Sequence, residues 1–561
     1  MAVAADAPLP GRPARPTVAR GARFDRWTIT TLVLAGLLAL PILAVVVTAL
    51  RPSDDIWRHL VSTVLGDYVR NTLLLMLGVG IGTFVLGAGA AWLVSTFRFP
   101  GRALFEWALV LPLAVPAYII AFVYTDLLDY AGPVQTWLRT LFGWTTKRDY
   151  WFPEIRSLGG AIVMLTLVLY PYVYLLGRAA FLRQSRSAVE ASRMLGRGPT
   201  ATFFTVVLPL ARPALVVGVS LALMETLNDF GTVSFFAVRT FTAGIYDVWL
   251  NQYNVAGAAQ LASSLLIFVL AVLGLERWSR RGQHFDQAFA GLRPMPRQRL
   301  FGWRAGAALA ACALPVALGF VLPGLILLEL ALTWGTYRGV FVYDLARSLA
   351  LAAGAGLLAV CIGLLLAYGL RLRKDPLVRV ATRVASVGYA VPGSVIAVGV
   401  LLPFAWLDNT VDGLARSLLG VGTGLLLSGT AAAVVFAYLV RFNAVALGAI
   451  ESGLAKVTRN MDDAARTLGQ APGGVLMRVH VPILKGSILT ALILVFVDVL
   501  KELPATLLLR PFNFNTLATR VYELAADQRF EEASLPALTI VAAGILPVIV
   551  LVRAMRPRKE R

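Results

Sequence analysis

Charge is what this chain has least of. Only 15% of its 561 residues are Asp, Glu, Lys or Arg, against about 25% in ordinary soluble domains. With 58% hydrophobic residues and a mean hydropathy of +0.74, a water-soluble fold is excluded. Cysteine and histidine are almost missing. Cys312 and Cys361 lie in apolar runs without metal-ligand spacing and read as small buried side chains. His59, His284 and His480 are scattered, so no metal site is expected. No Gly-x-x-x-x-Gly-Lys-Ser/Thr phosphate loop or other nucleotide fingerprint occurs, so the chain is not expected to hydrolyse ATP by itself, and no cofactor is expected in it. Apolar and polar residues do not alternate at strand period, which argues against a β-barrel. Neither a nucleophile–base pair nor a metal constellation supports a membrane enzyme.

What is present is a series of long apolar runs. A helix needs about 20 apolar residues to span the hydrocarbon of a bilayer, and twelve runs qualify: 27–50, 68–95, 104–128, 158–181, 211–236, 258–276, 305–332, 345–370, 382–407, 422–447, 487–510 and 534–554. The expected fold is an all-α polytopic bundle in a lipid bilayer. The net charge of +20 could suggest nucleic acid, but its placement is that of a topology signal: with the N-terminus inside, inner segments hold 36 of the 51 Lys and Arg, as the positive-inside rule requires. Both termini are then cytoplasmic. Residues 1–26, rich in Pro, Ala and Arg, read as a disordered cytoplasmic tail; the first apolar run is long enough to span, which does not support a cleavable signal peptide. A stretch with seven arginines, 277–304, divides six spans from six and reads as the linker between two halves, 27–276 and 305–561. An even number of spans in each half makes these parallel repeats, related by an axis along the membrane normal.

A polar pattern recurs at an offset of 273. Glu190-Ala191-Ser192, Leu195-Gly196 and Leu208-Pro209 correspond to Asp463-Ala464-Ala465, Leu468-Gly469 and Val481-Pro482. Each copy lies on the inner side between the fourth and fifth spans of its half. Its chemistry predicts a helix–turn–helix: Gly196 and Gly469 end one helix by adopting positive φ, Pro199 and Pro472 open the next, and Pro209 and Pro482 mark the start of a membrane helix. Two ordinary amphipathic connectors would not be expected to agree at one offset in equivalent places.

The same offset maps Glu225 onto Asp498 and Asp229 onto Glu502, each pair spaced i, i+4 within the fifth and eleventh runs and expected on one helix face. Carboxylates at such depth cost roughly 2.5–3.5 kcal/mol each on insertion scales. Either they line a central pathway that favours a cation, or they fix helix packing by pairing with Lys501 or with arginines of neighbouring spans. Lys501 is adjacent to Glu502 and so must find its partner elsewhere. Trp137, Trp144, Tyr150 and Trp151 in the long outer loop 129–157 read as headgroup anchors or as contacts for a partner. Pro112/Pro116 and Pro392/Pro403 could kink the third and ninth spans.

The repeated loop resembles the EAA loop of the membrane subunits of bacterial ABC importers, with Ser192 in place of the second Ala and Asp463 in place of Glu. The resemblance implies a coupling helix in each half that docks on a cytoplasmic ATPase: Glu190, Ala191, Gly196 and Pro209 with one copy, and Asp463, Ala464, Gly469 and Pro482 with a second. It also implies ATP on those subunits, a periplasmic substrate-binding protein, and alternating access driven by ATPase closure. Asn228-Asp229-Phe230-Gly231-Thr232 and Lys501-Glu502-Leu503-Pro504-Ala505-Thr506 resemble the two halves of fused ferric iron permeases, which implies ferric iron as cargo; thiamine and phosphonate permeases share the fused plan. The competing class is a twelve-helix secondary transporter, for which a duplicated cytoplasmic loop has no purpose.

Overall fold

The computed structural model describes residues 25–52, 56–182, 184, 190–192, 194–280, 297–334, 338–373 and 375–555. The tail expected at 1–26 lies almost wholly outside the described residues, as does 281–296 of the linker. Among the described residues, eleven helices are long and apolar enough to cross a membrane, and a bent pair brings the number to twelve. The spans are Arg26–Ala49, Leu65–Thr96, a broken third, Leu158–Leu182, Leu208–Asn228 and Val255–Arg280 in the first half. In the second they are Gly302–Trp334, Arg338–Leu372, Gly393–Leu419, Ala431–Leu454, Val481–Leu500 and Phe530–Met555. The second span shows how each is positioned: Leu75, Val79, Thr83 and Gly87 are buried, while Leu73, Leu77, Ile81 and Val85 form an exposed apolar stripe that faces lipid.

The two halves share one plan. The second, fourth and fifth spans pack together, and so do the eighth, tenth and eleventh. Close approach of these helices depends on glycine. A Cβ on Gly87 would lie 2.7 Å from the Tyr170 carbonyl, and one on Gly363, 276 residues later, would lie 3.2 Å from the Leu447 nitrogen. Small residues at such crossings let backbones approach in lipid. The halves also interlock. The first span packs on the Pro376–Ala385 helix and the ninth span, the seventh packs on the pieces of the third, and Arg373 Nε donates to Asp25 at 3.0 Å.

Four expectations are corrected. The third span is not one helix: Arg102–Ala114, a helix followed by a turn, and Ala117–Phe142 are bent by 90° at the break between them. Pro116 supplies no N–H and sits extended at φ −60°, ψ 142°, so the helix restarts after it. Pro392 repeats this at φ −56°, ψ 143°, and the ninth span therefore starts at Gly393 instead of within the preceding amphipathic helix. The fifth and eleventh spans stop at Asn228 and Leu500 and resume only as short helices, Gly231–Phe235 and Pro504–Leu509. Asp229 and Glu502 thus lie in breaks, off the helix that carries Glu225 or Asp498. Cys361, expected inside, is exposed on its helix, while Cys312 is buried.

The close approach at Gly87 is testable within a single helix. Gly87→Ala should lower the apparent melting temperature in detergent, with a cost of about 1–3 kcal/mol for overpacking. Gly89→Ala, with nothing within 4 Å of its Cβ, should leave it unchanged or raised.

Candidate functional site

The repeated polar element folds as its residues predict. Glu190, Ala191, Ser192 and Met194 are helical, as is Arg459–Thr467; residues 185–189 and 193 lie outside the described residues. Gly196 and Gly469 take φ of +80° and +78°, the left-handed turn that glycine adopts without a Cβ penalty. Pro199 and Pro472 open the next helical turns. Both copies then insert a π-turn, Phe203–Val207 and Leu476–His480, in which the N–H of Leu208 bonds Phe203 and that of Val481 bonds Leu476. The wider turn precedes Pro209 and Pro482, which have no N–H to offer the ladder.

Each copy shows the same face outward. Glu190, Ala191, Asp463, Ala464, Gly196 and Gly469 are exposed, and Leu195 and Leu468 are each 81% exposed. The inward face differs in chemistry. In the first copy the Ser192 and Thr202 hydroxyls are 3.2 Å apart, where the second copy places the buried apolar pair Ala465 and Val475; the exchange of Ala for Ser is therefore matched by a partner. The second copy is fastened by Arg371, whose Nε donates to Asp462 at 2.8 Å while its other nitrogens reach the carbonyls of Leu454 and Val457. In the first half, Trp92 packs on Phe203 of the π-turn with ring centroids 4.8 Å apart.

All four intramembrane acids come to one cavity, of about 110 Å³, where the breaks of the third, fifth and eleventh spans meet. Its walls pair positions of the repeat: Glu225 with Asp498, Asn228 with Lys501, Asp229 with Glu502, Leu113 with Tyr389, and Val168 with Arg441. The cavity therefore lies on the pseudo-two-fold axis. Asp229 accepts from Val233 N at 3.1 Å and from Thr232 Oγ1 at 2.9 Å. Glu502 accepts from Ala505 N and Thr506 N, each at 3.0 Å, and from Thr506 Oγ1 at 2.6 Å. Each acid satisfies the first backbone donors of the helix resuming beyond its break.

Lys501 finds its partner one turn back, in Asp498, with Nζ–Oδ1 at 3.0 Å. Arg441, from the tenth span, lies 3.6 Å from Glu502 and donates to Asn228 Oδ1 at 2.6 Å. The same oxygen accepts from Gly393 N at 2.7 Å, so a side chain of the first half caps a helix of the second. A Cβ at Gly393 would lie 2.6 Å from Arg441 and 2.7 Å from Glu502, so any larger residue here would displace that ion pair. The equivalent of Asn228 is Lys501, which has no acceptor, so the link exists once. Asn228, Arg441 and Gly393 act together here although they are remote in sequence; the only signal beforehand was an arginine inside the tenth apolar run. In the loop 129–157, Trp144 stacks between Phe142 and Tyr150, each at 4.7 Å, while Trp137 and Trp151 are exposed.

Two matched polar loops and a shared axial cavity describe a duplicated membrane permease. Residues 83–283 and 359–561 each match the family of binding-protein-dependent transport system inner membrane components, and the chain belongs to that family: it is a multi-pass permease subunit of an ABC importer. It is similar to the Fe(3+)-transport system permease protein FbpB 2 of Haemophilus influenzae, 26% identical over 540 residues, covering 94% of this chain and 97% of that one. A putative ferric transport system permease protein, FbpB 1, of the same organism is 24% identical over 533 residues, covering 86% of this chain and 76% of its own length. The molybdenum transport system permease protein ModB of Escherichia coli is 27% identical over 197 residues, 34% of this chain and 82% of that relative.

Arg441 and Glu502 have side chains only 6% and 2% exposed. Removing one partner of a buried pair typically costs about 3–5 kcal/mol. Arg441→Leu should therefore lower the apparent melting temperature markedly, and Lys501→Leu should lower it less, because Lys501 and Asp498 keep side-chain exposures of 29% and 22%. Thermal unfolding of the two purified variants checks the order.

Proposed function

We propose that the chain carries ferric iron, delivered by a periplasmic binding protein, into the cytoplasm by alternating access, with ATP hydrolysed on two copies of a separate cytoplasmic subunit and no cofactor of its own. In this reading both termini and both repeated loops face the cytoplasm. The observation that carries the cargo is the axial cavity, where four carboxylates meet two bases, Arg441 and Lys501. That excess of acid suits a cation and opposes oxyanions such as molybdate. The whole-length likeness to permeases named for Fe(3+) and ferric transport supports the same choice. Glu225, Asp229, Asp498 and Glu502 would line the path.

The coupling role rests on the two loops. Leucines more than four-fifths exposed on a polar element suit contact with another protein. Glu190, Ala191, Gly196 and Pro209 would form one docking surface, and Asp463, Ala464, Gly469 and Pro482 the other. A secondary transporter has no use for such a pair.

Reconstitution with the binding protein and ATPase, followed by uptake of radiolabelled iron, tests both parts. ATP-dependent accumulation of iron is expected. Uptake of thiamine, a phosphonate or molybdate in place of iron would overturn the cargo, and uptake without the ATPase would overturn the class. Leu195→Asp combined with Leu468→Asp should reduce uptake at least about tenfold with an unchanged melting temperature, since neither side chain is packed within this chain; normal ATP-driven uptake would refute the docking surface.

A further inference from the structure

The four acids of the axial cavity are not equivalent, and the difference singles out Glu225. Asp229 and Glu502 are committed to capping, and Asp498 is paired with Lys501. Among the described residues, Glu225 meets no base at salt-bridge distance. Its side-chain neighbour is the Tyr389 hydroxyl, 3.4 Å from Oε1, and Tyr172 lines the same cavity. All three line the cavity, and so does Tyr118, a buried residue whose hydroxyl has no hydrogen-bond partner.

Neither Tyr172 nor Tyr389 belongs to the duplicated framework. The repeat places Val445 opposite Tyr172 at the offset of 273 and, at the offset of 276 that aligns Pro116 with Pro392, Leu113 opposite Tyr389, so each phenol is found in one copy alone. Both nevertheless line the wall beside Glu225, the acid of the four that, among the described residues, neither pairs with a base nor caps a helix. We propose that Glu225, Tyr172 and Tyr389 form a transit site for a hard trivalent cation, with Tyr118 as a further oxygen donor on the same wall. Ferric iron accepts carboxylate and phenolate oxygen, and each phenol that coordinates gives up its proton to water.

The site is built to release as well as to bind. Glu225 and Tyr172 stand on the fifth and fourth spans of the first half, whereas Tyr389 stands on the turn Val387–Ala390 of the second. Relative movement of the halves therefore separates the donors. Among the described residues no three His, Cys, Asp or Glu gather into a metal group, and a partly protonatable oxygen set holds a cation loosely enough to pass it on. This inference rests on the ferric reading above for its cargo, but its residues can be tested separately.

The test uses the reconstituted complex of permease, ATPase and binding protein, with Glu225→Gln, Tyr172→Phe and Tyr389→Phe made singly and the two Phe changes combined. Iron uptake should fall at least about tenfold in each, while the binding protein still stimulates ATP hydrolysis and the melting temperature holds. The purified complex titrated with ferric nitrilotriacetate should develop a visible phenolate-to-iron charge-transfer band that the double Phe variant lacks. Iron uptake in the wild type with undiminished uptake in the variants and no band would overturn the transit site and leave the ferric reading standing. A band without wild-type uptake of iron would keep the site and overturn the cargo. No uptake and no band would overturn both.

Discussion

Every feature of this molecule near the axis follows from one constraint: within hydrocarbon, a backbone N–H or C=O that leaves the helical ladder must find a partner inside the protein. The chain breaks its helices at Pro116, Pro392, Asp229 and Glu502, and each break opens unpaired donors. Those donors draw in the polar side chains. Asp229 and Glu502 cap the helices that follow them, and Asn228 caps the helix at Gly393. Arg441 is then needed to balance Glu502 and to complete the bonding of Asn228. The cavity is the space left where these breaks meet.

Duplication explains the framework, and departures from duplication explain the site. Repeat-related positions share backbone roles: the φ of Gly196 and Gly469, the π-turns before Pro209 and Pro482, and the capping by Asp229 and Glu502. Side chains then diverge where the two halves touch. Asn228 faces Lys501 across the axis, Val168 faces Arg441, and Leu113 faces Tyr389. A strictly symmetric cavity would hold two equal carboxylate clusters that repel each other. Placing both bases in the second half pairs them with Asp498 and Glu502, whereas Glu225 and Asp229 of the first half are in no salt bridge among the described residues.

The periodic and the local were legible in the sequence; the convergent was not. Apolar runs of helical length revealed the spans, and one offset revealed the loops, because both signals are contained within short stretches of chain. The i, i+4 spacing of the acids misled, since it assumed an unbroken helix through Asp229 and Glu502. The text Glu502-Leu503-Pro504 carried the contrary signal: a proline needs no N–H partner at the start of a helix and so marks a restart. The contact of Tyr389 with Glu225, across 164 residues, leaves no trace in spacing, and neither does the bond from Asn228 to Gly393.

The arrangement also connects the loops to the cavity mechanically. Leu208–Asn228 begins at the π-turn that follows the first loop and ends at the cavity wall; its 21 residues span roughly 31 Å at 1.5 Å per residue. Val481–Leu500 does the same in the second half. Glu225 and Asp498 lie within these helices near their far ends, so a displacement of either loop moves a carboxylate, whereas Asp229 and Glu502 stay with the short helices they cap. The inter-half link through Asn228, Gly393 and Arg441 would be strained by the same displacement. A displacement of the loops thus acts on the polar connections that join the halves at the cavity, those of Asn228 with Gly393 and Arg441 and that of Tyr389 with Glu225.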